Sequence, residues 1–339
     1  MKRALVTGAT GMLGSYLVER LVAGGWTVRA LVRDVEAARW LEPMGAALAR
    51  GDVTAAASVR DAAAGCDAVF HAAAAIGPGR DPRAFYALNV EGTAHVVRAA
   101  AAAGARLVHV SSTAVYDDAT RFGRAPTGED VPVSTLPEGD AYGRSKQESE
   151  RAVLRAHAEG VVWASVVRPP VMYGVRDRQF VPRVAPVLAR GVFPLIGGGR
   201  ALLLIVHAGA VADGAVRAAL TDVAGGRVYH LTNDFEVTVA EFARLAGEGL
   251  GRRVRTPSIP LAAARVGFAA LRAALTLAGR ADLAAHAPAT LAMLTRDNPF
   301  SSDRARRELG WAPSVPPSVA LPEAFRWWNE RYGSAKAIR

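Results

Sequence analysis

The chain has 339 residues, 51% of them hydrophobic, with one cysteine and a formal net charge of +10. That length accommodates one large domain or two around a sizeable core, and the lone Cys66 excludes an intramolecular disulfide and a cysteine metal site, which makes a reducing cytoplasm the expected setting. No apolar run is long enough to span a bilayer, the N-terminus reads as a strand with glycines rather than a signal peptide, and the arginines are scattered without a nucleic-acid-binding motif, so nucleic acid is not an expected partner.

Residues 2–6 are a short, largely apolar run of the kind that makes a buried parallel strand. Thr7, Gly8, Ala9, Thr10, Gly11, Met12, Leu13 and Gly14 follow at once, and residues 15–23 read as a helix. Glycines three apart at a strand-to-helix turn have separate tasks. The first makes the tight turn, the second admits a pyrophosphate to the backbone, and the third lets helix and strand pack closely. The helix start adds unpaired N–H groups and a positive dipole end. This is the pattern of a dinucleotide site, spaced G-x-x-G-x-x-G rather than G-x-G-x-x-G.

Further along, residues 27–32 read as a second strand after the Gly24-Gly25 helix stop, and 47–50 as a third, ending at Gly51-Asp52-Val53. Residues 68–71 are a fourth, entering Ala72-Ala73-Ala74. A long helix over 85–103, stopped by Gly104, precedes a fifth strand at 106–111. A second long helix over 142–159, stopped by Gly160, precedes a sixth strand at 161–167. The alternation predicts an α/β fold, a doubly wound Rossmann-type parallel sheet with right-handed crossovers. Beyond Arg168-Pro169-Pro170 the pattern loosens. The expected division is a dinucleotide-binding domain over 1–167 and a smaller C-terminal substrate lobe, mainly 168–330, with some later strands returning to the sheet. Residues 259–278 are Ala- and Leu-rich, interrupted by Arg265 and Arg272. They read first as a substrate-lobe helix packed on the core, and alternatively as an apolar lid or an interfacial helix in peripheral contact with a membrane.

The end of the second strand bears on cofactor choice, since an acid there takes a ribose 2′-hydroxyl and an arginine a 2′-phosphate. Val32 stands at the usual acid position and Arg33 follows; a guanidinium can grip a phosphate with two parallel hydrogen bonds. NADP is therefore expected, with NAD the alternative that Asp34 keeps open. Asp52 and Val53 are placed to receive the adenine.

Tyr142-Gly143-Arg144-Ser145-Lys146 puts a phenol and an ammonium four apart on one helical face. A phenol with a pKa near 10 is a poor base at neutral pH, and a nearby ammonium lowers that value so that the pair can exchange a proton with an alcohol oxygen. The strand ending in Ser111-Ser112-Thr113 supplies a hydroxyl, Ser112, to hold the reacting oxygen. His71, His95, His207 and His230 lack metal-ligand spacing and read as structural, so no metal is expected.

With these motifs in order, the chain resembles the extended short-chain dehydrogenase/reductases, a family that includes sugar-nucleotide epimerases and dehydratases, dihydroflavonol-type reductases and 3β-hydroxysteroid dehydrogenases. The resemblance runs from residue 2 to about residue 330. It rests on residues 7–14, Asp52-Val53, His71-Ala72-Ala73-Ala74, Asn89-Val90-Glu91-Gly92-Thr93, residues 111–116, 142–146 and 168–174, and a C-terminal stretch from Phe300 to Trp311. It implies Ser112 as the catalytic hydroxyl, Tyr142 as the acid/base, and Lys146 as a ligand of the nicotinamide ribose as well. Asn89 is then in the segment approaching the nicotinamide, and Pro169 beside the cofactor. It further implies a homodimer built on two helices that carry Arg98, Arg151 and Arg155. Val171 stands where sugar-nucleotide enzymes of the family carry a diphosphate-binding asparagine. Residues 25–34 resemble the dihydroflavonol reductases, and 295–300 the bacterial 3β-hydroxysteroid dehydrogenase-like proteins. The expected activity is hydride transfer between nicotinamide and a secondary alcohol or ketone on a largely apolar small molecule. The alternatives are a nucleotide-sugar epimerase or dehydratase, and a non-catalytic NADP-sensing protein.

Overall fold

A computed structural model describes residues 1–77, 81–123, 126–232 and 234–333, with 281–283, 285 and 286 as backbone. Its strands are β1 (Arg3–Thr7), β2 (Thr27–Val32), β3 (Ala46–Arg50), β4 (Ala68–His71), β5 (Arg106–Val110), β6 (Ala164–Arg168), β7 (Val171–Tyr173), β8 (Leu195–Ile196), β9 (Ile205–His207), β10 (Val228–His230) and β11 (Ser258–Ile259). Seven of them form a sheet in the order β10-β6-β5-β4-β1-β2-β3, with every pair parallel. Ala4, Leu5 and Val6 are completely buried because β1 is central and covered on both faces. β7 pairs with β9, and β8 with β11, as small two-stranded additions.

Two layers of helices cover the sheet. On one face the Met12–Ala23 and Ala208–Leu220 helices close a core of Leu17, Leu21, Val28, Phe70 and Trp311. On the other, the Ala56–Ala63, Gly92–Ala103 and Ala141–Ala158 helices enclose Leu5, Val69, Val96, Leu107 and Val153. A third core, with Phe242, Leu321 and Phe325 at its centre, joins the Val181–Leu188, Val239–Gly249 and Pro317–Trp328 helices into the second lobe. The chain after residue 168 also returns to the sheet. Val228–His230 is its seventh strand, and Trp311 packs under the Ala208–Leu220 helix with its indole N–H on the Ala210 carbonyl at 2.9 Å.

Four elements differ from the expectation, one being the sixth strand, which begins at Ala164 rather than residue 161. The first helix begins at Met12 rather than residue 15, so the glycine-rich loop is shorter than its motif. The helix expected over 85–103 is interrupted by a π-helical turn, Tyr86–Glu91, between Pro82–Phe85 and Gly92–Ala103. The helix in 259–278 forms, as Leu261–Leu277, but only Ala264 is buried, so it is not packed on the core. Alanine spacing alone cannot separate these cases, because alanine favours a helix whether it is buried or not.

Candidate active site

Parallel pairing carries the C-terminal ends of β1, β4, β5 and β6 to one edge, with Thr7 opposite His71, His71 opposite His109, and Val110 opposite Val167. Strand order reverses between β1 and β4, which is where open α/β sheets bind their ligands. The glycine-rich loop leaves β1 there. Gly8 has φ +70°, and a Cβ on it would meet the Ala73 nitrogen at 2.7 Å; a Cβ on Gly14 would meet the Gly8 oxygen at 2.1 Å. Gly11 is exposed and caps the Met12–Ala23 helix with no side-chain hydrogen bond, and the first turn holds no acid. The first-turn N–H groups are thus left for an anion, and a dinucleotide pyrophosphate fits this cradle. Thr10 and Met12 are half-buried at its rim, and Leu13 is buried in the core.

Arg33, at the end of β2, is exposed and has no hydrogen-bond or ion-pair partner among the described residues. Asp34 is not paired with it: its Oδ1 accepts from the Ala37 N–H at 3.1 Å and caps the next turn. Asp52 Oδ1 accepts from both the N–H and the hydroxyl of Thr54 at 2.9 Å. Val53 is buried, and its carbonyl accepts from His95 Nδ1 at 2.9 Å. Ala72, Ala73 and Ala74 are half-buried just past β4. Pro169 is buried just past β6, its carbonyl accepting from the Thr113 N–H at 3.0 Å.

The Ala141–Ala158 helix carries Tyr142 and Lys146 toward the same edge. Asp140 caps it, accepting from the Gly143 N–H at 2.8 Å. Ser112 accepts from the Ala114 N–H at 3.1 Å and faces the Tyr142 phenol, which its hydroxyl stabilises in the ionised form. Burial pushes the Tyr142 phenol above its ordinary value, while Ser112 and the charge of Arg121 pull it down. Phe85 stands edge-on to the ring at 6.0 Å. Lys146 is 3% exposed and donates to the Val110 carbonyl at 2.8 Å. Burial lowers its pKa to about 8, against the pull of Glu150. Lys146 is not among the groups that move the phenol in this arrangement. The ammonium is turned to the sheet edge, and the hydroxyl of Ser112 leads the groups that lower the phenol.

Asn89 is fixed by contacts within the protein. It is 1% exposed, on the π-helical turn, and its side chain is engaged within the protein. Its Oδ1 accepts from the Ala75 N–H at 2.7 Å, and its Nδ2 donates to the Ala75 carbonyl at 3.2 Å and to Ser145 Oγ at 2.9 Å. Ser145 in turn donates to the Tyr142 carbonyl at 2.7 Å. Asn89 holds the β4 loop against the Tyr142 helix.

His71, Thr93 and Ser145, which the motifs contain without giving them a role, and Asp140, which lies outside them, are positioning residues. Thr93 Oγ1 donates to the Asn89 carbonyl at 2.6 Å, so it accepts from His71 Nε2 at 2.9 Å. His71 Nδ1 then accepts from Thr7 Oγ1 at 2.7 Å, and Thr7 accepts from the Ala73 N–H at 3.3 Å. This direction requires a neutral imidazole. Burial, helped by the charge of Lys146, lowers the His71 pKa to about 3. The middle of the Ala141–Ala158 helix is fixed by Glu150, whose carboxylate receives Arg168 Nε at 2.9 Å within a buried ion pair. Beyond the presence of His71 and Thr93 in two of the motifs, the sequence signals the histidine chain only by a polar residue at the end of an otherwise apolar strand.

With this geometry in place, comparison with known proteins is informative. The model of the NAD dependent epimerase/dehydratase family matches residues 4–232. The 4-hydroxy-2-methyl-3-oxo-4-farnesyl-3,4-dihydroquinoline-1-oxide ketoreductase of Stigmatella aurantiaca is 35% identical over 92% of both chains. The decarboxylating sterol-4-alpha-carboxylate 3-dehydrogenase of Bos taurus is 30% identical over 76% of this chain and 73% of its own. Among solved structures, gox2253 superposes with a TM-score of 0.76 at 27% identity, covering 98% of this chain and 99% of that one. Sheet order, glycine cradle and matched span agree: this chain belongs to the NAD dependent epimerase/dehydratase family of extended short-chain dehydrogenases/reductases.

Proposed function

We propose that the protein is a cytoplasmic NADP-dependent oxidoreductase acting on a secondary alcohol or ketone of a largely apolar small molecule, with Tyr142 as acid/base. The observation that carries this reading is the convergence of Ser112, Tyr142 and, one turn further along the helix, Lys146 at the sheet edge where the glycine cradle opens. The bound nicotinamide supplies or accepts the hydride. In reduction, Ser112 donates to the carbonyl oxygen and Tyr142 passes its proton to that oxygen as it becomes an alcohol. Lys146, held by the Val110 carbonyl, is assigned to the nicotinamide ribose. Relatives named as a ketoreductase and a dehydrogenase support the reaction class.

Tyr142→Phe keeps the ring beside Phe85 and removes the proton. Turnover of a hydrophobic ketone should fall by ~10²-fold or more, while NADPH binding, followed by fluorescence, is retained. Near-wild-type turnover would remove Tyr142 from the role. Arg33 is the group proposed for the 2′-phosphate, supported by its exposure and by Asp34 being engaged as a cap. Arg33→Ala should weaken NADPH by at least tenfold and NADH hardly at all; wild-type preference for NADH would reverse the assignment.

Val171, half-buried on β7, supports the apolar substrate over a nucleotide sugar. Sugar nucleotides should then show no saturable binding by calorimetry. We further propose a homodimer through the Gly92–Ala103 and Ala141–Ala158 helices, where Arg98, Arg151 and Arg155 are exposed.

A further inference from the structure

The Leu261–Leu277 helix is seventeen residues long, yet Ala264 is its only buried residue. It packs along the Ala281–Thr295 helix, with Phe268 and Leu275 half-buried. A turn of 3.6 residues puts Ala262, Ala263, Val266, Ala270, Ala273 and Leu277 together on the opposite face. All six are exposed, Val266 at 71% and Leu277 at 89%. Arg265 and Arg272, seven apart, stand together on one flank of that face and are exposed.

Along the sequence the charge here has one sign. Between Glu248 and Asp282 the sequence holds no acid but six arginines, at 252, 253, 255, 265, 272 and 280. Arg252, Arg253 and Arg255 are exposed in the segment that leads through β11 into the helix. An apolar face flanked by Arg265 and Arg272, whose stems can lie along hydrocarbon, and preceded by three more exposed arginines in the chain, is the chemistry of an interfacial helix on an anionic surface. A second copy is a poorer occupant. A twofold contact through this face would set arginine against arginine with no acid on the segment to neutralise it. Nor does any helix among the described residues have the length and apolarity to cross a membrane.

We propose that the Leu261–Leu277 helix docks the protein peripherally on an anionic phospholipid surface, with Val266 and Leu277 entering the headgroup–acyl boundary and the arginines 252–272 meeting the lipid phosphates. This stands independently of the hydride-transfer reading.

The test is flotation of the full-length protein with vesicles of phosphatidylcholine containing about one-third phosphatidylglycerol, against pure phosphatidylcholine. Wild type should float with the anionic vesicles at least tenfold more strongly. Val266→Asp with Leu277→Asp, and separately Arg265→Glu with Arg272→Glu, should each reduce flotation at least tenfold with an unchanged melting temperature. Wild type that stays in solution would overturn the proposal. So would binding that both double variants retain, since that would reflect only the general positive charge. A lipid-free dimer that Val266→Asp with Leu277→Asp dissociates would overturn it in favour of a second copy.

Discussion

A methyl group on Gly14 would lie 2.1 Å from the Gly8 carbonyl oxygen and 2.7 Å from Ala9 Cα. Nothing there is the end of a flexible side chain, so the helix start or the loop must shift as backbone. Gly14→Ala should therefore cost the ~1–3 kcal/mol of an overpacked core and weaken NADPH at least tenfold, because the shift moves the first-turn N–H groups. A fluorescence titration and a thermal melt would show both; unchanged affinity would mean the cradle does not hold the pyrophosphate. This demand could be read in the sequence because it is local, with three glycines answering to one turn and one helix. His71 is the opposite case. Its partners Thr7 and Thr93 are 64 and 22 residues away in the chain, and only the pairing of β1 with β4 and the π-helical turn bring them to it. A single polar letter at a strand end says nothing of a directed hydrogen-bond chain.

The Tyr142 helix shows how an element sets the chemistry of its residues. Asp140 caps it through the Gly143 N–H and also raises the Tyr142 phenol electrostatically. These two effects separate by mutation. Asp140→Ala removes cap and charge, so stability should fall by ~1 kcal/mol, and alcohol oxidation, which needs the phenolate, should reach its plateau at lower pH. Asp140→Asn keeps a capping oxygen and loses only the charge, so the melting temperature should hold while the pH profile still moves down. Equal pH profiles in wild type and Asp140→Asn would show that the phenol does not sense this carboxylate. The helix itself was legible from its length and its Gly160 stop. The π-helical turn opposite it was not: Tyr86 to Glu91 is compatible with ordinary helix, and the distortion serves a tertiary contact, Asn89 with Ser145.

Across the whole molecule, strand–helix alternation made the parallel sheet legible, because each buried strand is a short apolar run between glycine stops. The second lobe was less so: its strands have two or three residues and pair only with one another. The burial that holds these parts together also dictates how the fold responds to acid. His71 and His230 are lowered to about 3 and His207 to about 4, and His109 is also held well below its ordinary value, each mainly by burial. A histidine with a depressed folded-state pKa binds fewer protons folded than unfolded. Its contribution is complete above the unfolded value of about 6.5 and is lost progressively as pH falls toward the folded value. Asp234 works in the other direction. Burial raises it to about 6, so it favours the fold below its unfolded value and loses that contribution as pH rises through about 6. Glu129, Asp177 and Asp213 are raised by burial in the same way, but the histidine displacements are larger, and every tenfold of proton affinity withheld is worth ~1.4 kcal/mol. The melting temperature should therefore fall steadily from pH 6.5 to pH 4.5, and by NMR the imidazoles of His71 and His230 should stay neutral until the protein unfolds. A folded protein whose His71 titrates near 6.5 would show that this imidazole is solvated and that the directed chain from Thr7 to Asn89 does not exist.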